Sequence, residues 1–207
     1  MKTKKIKDSR LNLIFIGRSG AGKGTQAALI KEFLEKRNGK GSVFYIYTGE
    51  HLRALIKDNP KLEASKFVDE KVMKGGNKAP DFIAIWAWAK ELIYSAKPNQ
   101  HIIFDGSPRT PLEAKAMDEA LEFYERKNVK PILIDVSPEE ARLRMFKRGR
   151  KDDTEKQIKN RLAYYEKYVA PAVEYYLHES KNGLIVIDAN LHDPLLIHKN
   201  VLAALGF

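Results

Sequence analysis

The densest chemical signal in the chain is the run Gly17-Arg18-Ser19-Gly20-Ala21-Gly22-Lys23-Gly24-Thr25. Glycines let backbone N–H groups turn inward and approach phosphate oxygens with no Cβ in the way. An apolar run precedes the glycines and a helical pattern follows, so a helix N-terminus would point its positive end at the anion. Lys23 can bridge β- and γ-phosphates, and the Thr25 hydroxyl can help order Mg²⁺. The general phosphate-loop pattern puts Ser or Thr directly after the lysine. Here that slot holds Gly24 and the threonine comes one later. The competing reading, an accidental glycine-rich turn, is weakened by the strand before and the helix after.

Two further sets could act on phosphate. Asp105-Gly106-Ser107-Pro108-Arg109-Thr110 lies just past an apolar run, where open α/β sheets bind ligands. Arg142, Arg144, Lys147, Arg148, Arg150 and Lys151 form a dense basic cluster beside the pair Asp152-Asp153, with Arg161 further on. A basic run is ordinarily a solvated helix face; the adjacent acids could instead orient these arginines by ion pairing. The lysines at 2, 4, 5 and 7, with Arg10, read as a solvated tail.

Five short apolar runs could carry these groups: residues 11–16, 43–47, 101–104, 131–136 and 184–187. Each is nearly continuous, as in strands covered on both faces of a parallel sheet. Helical patterns separate them. Residues 25–37 carry Ala28, Leu29, Phe33 and Leu34, and residues 154–176 carry Ile158, Leu162, Tyr165 and Val169. Strand alternating with helix predicts an α/β doubly wound fold. Residues 48–81 are long for one connection and read as helical pieces standing out from the sheet; residues 147–153 form a second, very short excursion.

At 207 residues, 43% hydrophobic and 31% charged, the chain fits one globular domain. It has no cysteine, so no disulfide and no Cys-ligated zinc. No run is long enough to span a membrane, and no secretory signal stands at the start, so a cytoplasmic protein is expected. The net charge of +10 would suit nucleic acid, an anionic surface or a polyphosphate. Trp86, Trp88, Tyr164, Tyr165, Tyr175 and Tyr176 fall at helical spacing and read as packing residues rather than a base-stacking platform, so no nucleic-acid partner is expected. With no exposed apolar stripe evident, the expected state is a monomer.

Gly17 to Gln26 resembles the phosphate loop of adenylate kinases and related nucleoside-monophosphate kinases, G-x-P-G-x-G-K-G-T-Q. Thr48-Gly49-Glu50-His51-Leu52-Arg53 is similar to their T-G-D-x-L-R segment, and Gly76-Asn77-Lys78-Ala79-Pro80-Asp81 to G-x-x-V-P-D. Asp105 to Thr110 resembles D-G-F-P-R-T. Arg144-Met145-Phe146-Lys147-Arg148-Gly149 and Arg150-Lys151-Asp152-Asp153 resemble the two sides of the lid, R-L-x-x-R-G and R-x-D-D. The resemblance runs from Leu11 to about Leu205 and implies a five-stranded parallel sheet in the order 2-3-1-4-5, helices on both faces, and phosphoryl transfer from MgATP to AMP. It assigns Ser19, Gly20, Ala21, Gly22, Lys23, Gly24, Thr25, Arg144 and Ala189 to ATP. It assigns Thr48, Gly49, Arg53, Ala79, Gly106, Arg109, Glu113, Arg150 and Arg161 to AMP. Lys23, Asp105, Arg109, Arg148, Arg150 and Arg161 would be catalytic, with Mg²⁺ held by Thr25 and, through water, by Asp105. The domain is expected to comprise a core (11–47, 82–146, 154–207), an acceptor-binding insert at about 48–81 and a minimal lid at about 147–153.

Departures from the family pattern include Ser19 for proline, Ala79 for valine, Ser107 for phenylalanine and Glu113 for glutamine. Glutamine can serve both the N6 donor and the N1 acceptor of adenine. An ionised glutamate suits the two donors of guanine better, unless Glu113 turns to solvent. A kinase for GMP, CMP or UMP is therefore the first alternative. A nucleotide-binding regulatory module without transfer activity is the second, suggested by the short lid.

Overall fold

The computed structural model describes residues 10–150, 153–190 and 193–207. Five strands, β1 (Asn12–Ile16), β2 (Val43–Tyr47), β3 (His101–Asp105), β4 (Val129–Asp135) and β5 (Ile185–Asp188), form one parallel sheet in the order β2-β3-β1-β4-β5. That is the order the resemblance implied. Register aligns the carboxyl ends: Asp105 pairs with Phe15 on one side and Tyr47 on the other, and Asp135 pairs with Asp188. β1 and β3 are buried along their whole length, which is why their sequences do not alternate.

Each face of the sheet is covered by helices. On one side Ile14, Ile16, Ile46 and Phe104 pack with Trp88, Met117 and Tyr176, from α4 (Asp81–Ser95), α5 (Pro111–Phe123) and α8 (Ala170–His178). On the other, Leu13, Phe15, Ile103 and Ile134 pack with Ile30 and Leu34 of α1 (Lys23–Asn38) and with Ile197 and Val201 of α9 (Pro194–Ala204). Burying each such side chain contributes about 1.5–3 kcal/mol.

The buried face of α1 differs from the predicted one. It consists of Gln26, Ala27, Ile30 and Leu34, whereas Ala28 is exposed and Leu29 and Phe33 are half-buried. A buried polar residue shifted the apparent stripe: the Gln26 amide donates to the Pro194 carbonyl at 2.9 Å and so lies inward against α9. Phe33 instead meets Phe207 edge-on, with centroids 5.0 Å apart. The predicted helical stretch 154–176 is three pieces: α7 (Glu155–Tyr164), a π-helical turn (Tyr165–Val169) and α8. Pro171 has no N–H to continue the α ladder, and the π turn absorbs the break.

Between β2 and α4 stand α2 (Thr48–Asp58), α3 (Glu63–Phe67) and a π turn (Val68–Lys74), packed around Leu52, Leu55, Val68, Val72, Ala79 and Ile83. These are the helical pieces expected of the long connection. α6 (Pro138–Arg148) ends in left-handed Gly149 and is followed, across the short excursion, by α7. The expectation of no exposed apolar stripe fails on α4, where Phe82, Trp86 and Ile93 face outward, interrupted by Lys90 against the Trp86 ring. Among the described residues no helix is long and apolar enough to cross a membrane.

Candidate active site

Two loop glycines meet close neighbours in the packing. Gly20 sits at φ +86°, and a Cβ there would stand 2.4 Å from the Ala141 carbonyl, so the loop can lie on α6 only without a side chain. A Cβ on Gly24 would be 3.1 Å from Asp105 Oδ2, so the carboxylate leans over the start of α1 where most phosphate loops carry Ser or Thr. Lys23 Nζ donates to the carbonyls of Gly17 and Arg18, both at 2.8 Å. Burial lowers its pKa to about 8; Asp105 opposes the shift, and Arg109, Arg148 and Arg150 add to it.

The loop forms one wall of a cleft of about 920 Å³ at the carboxyl edge of the sheet. Ser19, Gly20, Ala21, Gly22, Lys23, Gly24 and Thr25 line it, together with Thr48, Gly49, Arg53, Ala79, Asp105, Gly106, Arg109, Arg144, Arg148, Arg150 and Arg161. Two predicted residues stand behind the wall. Ala189 is fully buried, and its carbonyl accepts from Arg144 Nη2 at 2.6 Å; Pro194 and Ile197 line the cleft at that end. Glu113 is fully buried rather than turned to solvent, because its Oε2 accepts the Arg109 backbone N–H at 2.6 Å while Thr110 caps α5 by accepting the Glu113 N–H. Burial pushes the Glu113 carboxyl up, opposed by the Ser107 hydroxyl, the Arg109 N–H and the charges of Arg109 and Lys78.

One half of the cleft has an apolar wall of Leu52, Val72, Met73, Ala79 and Ala84, with the Thr48 and Ser107 hydroxyls paired at 2.8 Å. Arg53 lies over the Tyr47 ring at 5.2 Å, and Arg109 is anchored by its Nε on the Gly106 carbonyl at 2.9 Å. Toward the excursion, Asp153 collects the basic groups. It takes Arg148 through both nitrogens at 2.8 Å and Arg161 Nη1 at 2.5 Å. Burial raises its pKa, but the bonds and charges of Arg148 and Arg161 outweigh this and leave the carboxyl below its usual range. Of the predicted acid pair, Asp152, like Lys151, lies outside the described residues. Arg144 bridges the loop and the β5 end, with Nε on Glu140 at 2.7 Å.

Sequence reasoning missed three tyrosines that line this cleft. Tyr45 donates to Asp105 Oδ2 at 2.8 Å. Tyr47 shares an edge with it two residues on. Tyr164 Oη lies 3.3 Å from both Ser19 Oγ and Arg109 Nη1, joining the two halves. The period of two in β2 was the available signal for the first pair, since both hydroxyls then face one way at the ligand-binding edge. Arg18 was passed over too: it stacks 3.9 Å over the Tyr165 ring and ion-pairs with Glu166, tying the loop to the π turn. Finally, Gln157 and Asn160 of α7 donate to the carbonyls of Lys74 and Gly75, at 2.9 and 3.1 Å.

Comparison with known proteins agrees with this geometry. The family model described as "Adenylate kinase" matches residues 15–181. Similar proteins include the adenylate kinase of Leptospira biflexa, 37% identical over 79% of this chain and 84% of its own length. That of Phocaeicola vulgatus is 35% identical over 88% of this chain and 95% of its own. Adenylate kinase 1 of a Nostoc species is 32% identical over 90% and 95% respectively. A glycine-rich loop that opens a helix, a cleft lined by arginines and a match over most of the chain converge: the protein belongs to the adenylate kinase family.

Proposed function

We propose that the chain is an adenylate kinase that transfers the γ-phosphoryl group of MgATP to AMP, giving two ADP. The observation that carries this reading is the convergence of Lys23, Arg53, Arg109, Arg148, Arg150 and Arg161 on one cleft whose far half has an apolar wall. The basic side chains of this cleft would then face two phosphate-bearing ligands. Phosphoryl transfer needs alignment, charge neutralisation and exclusion of water more than covalent help.

In this reading the loop N–H groups and Lys23 hold the donor phosphates, and Arg144 covers the base side of ATP near Pro194. Arg53 and Arg109 grip the AMP phosphate, and Arg148, Arg150 and Arg161 neutralise charge on the group in transit. The donor set suits Mg²⁺: Asp105 leans over the start of α1, Thr25 lines the same cleft, and Mg²⁺ favours oxygen ligands, few of them from protein. When bound there, Mg²⁺ supplies charge neutralisation and orientation of the phosphates. The insert at about 48–81 and the short lid at about 147–153 are taken as the parts that close over the ligands. All these groups come from a single chain, which supports action as a monomer; a cytoplasmic location goes with the substrates.

The test is a coupled assay for nucleoside diphosphate formation with MgATP and each of AMP, GMP, CMP, UMP and dTMP. Transfer to AMP above all others is the expected result. Preference for another monophosphate would make this a different nucleoside-monophosphate kinase, as Glu113 in place of glutamine first suggested. Binding of ATP without any transfer would make it a regulatory module.

A further inference from the structure

We infer that Tyr164 is a positioning residue that couples the two nucleotide sites, its hydroxyl joining the Arg109 guanidinium on the acceptor side to the Ser19 hydroxyl of the glycine loop on the donor side. The inference rests on the donor and acceptor reading above. Arg109 Nη1 donates to Tyr164 Oη at 3.3 Å, and the same oxygen lies 3.3 Å from Ser19 Oγ. All three side chains line the cleft. They also line a cavity of about 20 Å³ shared with Lys23, Tyr165 and Val169, which leaves room for them to close on one another. Both contacts are at the long end for hydrogen bonds, and bonds of this kind shorten when ligands draw the partners together.

Proton counting fixes the direction of the chain. A guanidinium only donates, so Tyr164 accepts from Arg109. Its single proton is then left for Ser19 Oγ, and Ser19 keeps its own proton for a third partner. Ser19 belongs to the loop that would hold the donor phosphates, whose oxygens can accept that proton. The backbone carrying Tyr164 is tied to both halves. Its neighbour Tyr165 has Arg18 of the loop 3.9 Å over its ring, and Arg18 also pairs with Glu166 at 2.5 Å. Arg161, one turn earlier on α7, is held by Asp153 among the cleft arginines. Arg109 is itself anchored on the Gly106 carbonyl. An AMP phosphate that fixes Arg109 therefore also fixes the Tyr164 hydroxyl and, through it, the Ser19 rotor. A donor phosphate that takes the Ser19 proton does the same in reverse. The second nucleotide to bind then loses less freedom in ordering the site, which is positive coupling of equal size in both directions.

Calorimetry of AMP binding, alone and with saturating amounts of the β,γ-imido analogue of ATP and Mg²⁺, reads this coupling directly. In the wild type the analogue should tighten AMP about three- to tenfold. Tyr164→Phe keeps the ring and should bring that factor close to one. Ser19→Ala should do the same, and AMP affinity without the analogue should move by less than about twofold, since Arg109 keeps its bond to Tyr164. The double variant should lose no more coupling than either single one. A tyrosine that only packs would, when changed, shift Tm and the affinities for single nucleotides but leave the factor as it was. A factor near one in the wild type, or one that survives both substitutions, would overturn the coupling, while ADP formed from AMP upheld the kinase reading. Coupling that the variants abolish, with no ADP formed by the wild type, would keep the coupling and overturn transfer. Failure of AMP to bind at all would overturn both.

Discussion

Arg148 and Asp153 meet fork to fork, Nε on Oδ2 and Nη2 on Oδ1, each at 2.8 Å. The same carboxylate takes Arg161 Nη1 and the Arg150 backbone N–H, so one acid aims three basic residues at the cleft. Bidentate pairing fixes the guanidinium plane, which a lone arginine on a helix end would not hold.

Asp153→Asn should therefore leave the fold intact and lower turnover about 10- to 100-fold, because misplaced charges lose alignment with the group in transit. The folded-state pKa of Asp153 lies below its unfolded value, so its stabilising effect is present above ordinary carboxylate pKa values and disappears as pH falls through the folded one. Acid unfolding followed by circular dichroism should show a shallower acid limb in the variant. An identical limb and an unchanged turnover would remove Asp153 from this role.

Lys23 gives an alkaline prediction. Its folded-state pKa of about 8 lies below the unfolded value, so between the two the unfolded chain binds more protons and stability rises with pH. Activity goes the other way, since only charged Lys23 binds phosphate well. In the free protein, kcat/KM for ATP should fall as pH rises past about 8, while kcat holds to higher pH because bound phosphate favours the ammonium. Lys23→Met should cost about 10²- to 10³-fold in kcat and abolish the alkaline gain in stability. Parallel profiles for kcat and kcat/KM would count against this account.

Gly24 separates stability from transfer. Alanine at this exposed helical position should stabilise α1 by up to about 1 kcal/mol. Its Cβ, however, would crowd Asp105 Oδ2, which Tyr45 holds from the other side. Gly24→Ala should raise Tm yet slow transfer roughly tenfold and raise the Mg²⁺ needed for half-maximal rate. Adding Tyr45→Phe frees the carboxylate to step aside and should recover part of the loss. A double variant no better than Gly24→Ala would show that crowding of Asp105 is not the cause.

Most of this cleft was legible because its chemistry is local. Glycine spacing exposes the loop, and the apolar runs fix strands whose ends must coincide at one edge. What escaped depends on contacts between distant segments. Tyr164 reads as one more helical aromatic until the fold sets its hydroxyl between Ser19 and Arg109, 145 and 55 residues away. Gln26 reads as a solvent-side polar residue until Pro194 of α9 supplies its acceptor. Glu113 was legible as a departure but not as a buried group, because its burial comes from the Arg109 N–H and the packing above α5.

The short stretch after α6 leaves little chain to cover the cleft, and α7 instead meets the end of the π turn between α3 and α4 directly. Gln157 and Asn160 donate to the Lys74 and Gly75 carbonyls, and a Cβ on Gly76 would already stand 3.0 Å from Gln157. Two hydrogen bonds of this kind contribute only about 1–3 kcal/mol together, so breaking this contact to admit water would cost little. Hydrolysis of ATP without acceptor should consequently be faster, relative to transfer, than in a family member with a long lid. Asn160→Ala is the cleaner probe, since Gln157 also caps α7. It should raise the ratio of hydrolysis to transfer several-fold and raise KM for AMP, with Tm nearly unchanged. Phosphate release measured beside ADP formation gives both rates in one reaction. A hydrolysis ratio equal to that of a long-lid relative, and unmoved by Asn160→Ala, would mean that water is excluded by the arginine cluster itself rather than by this contact.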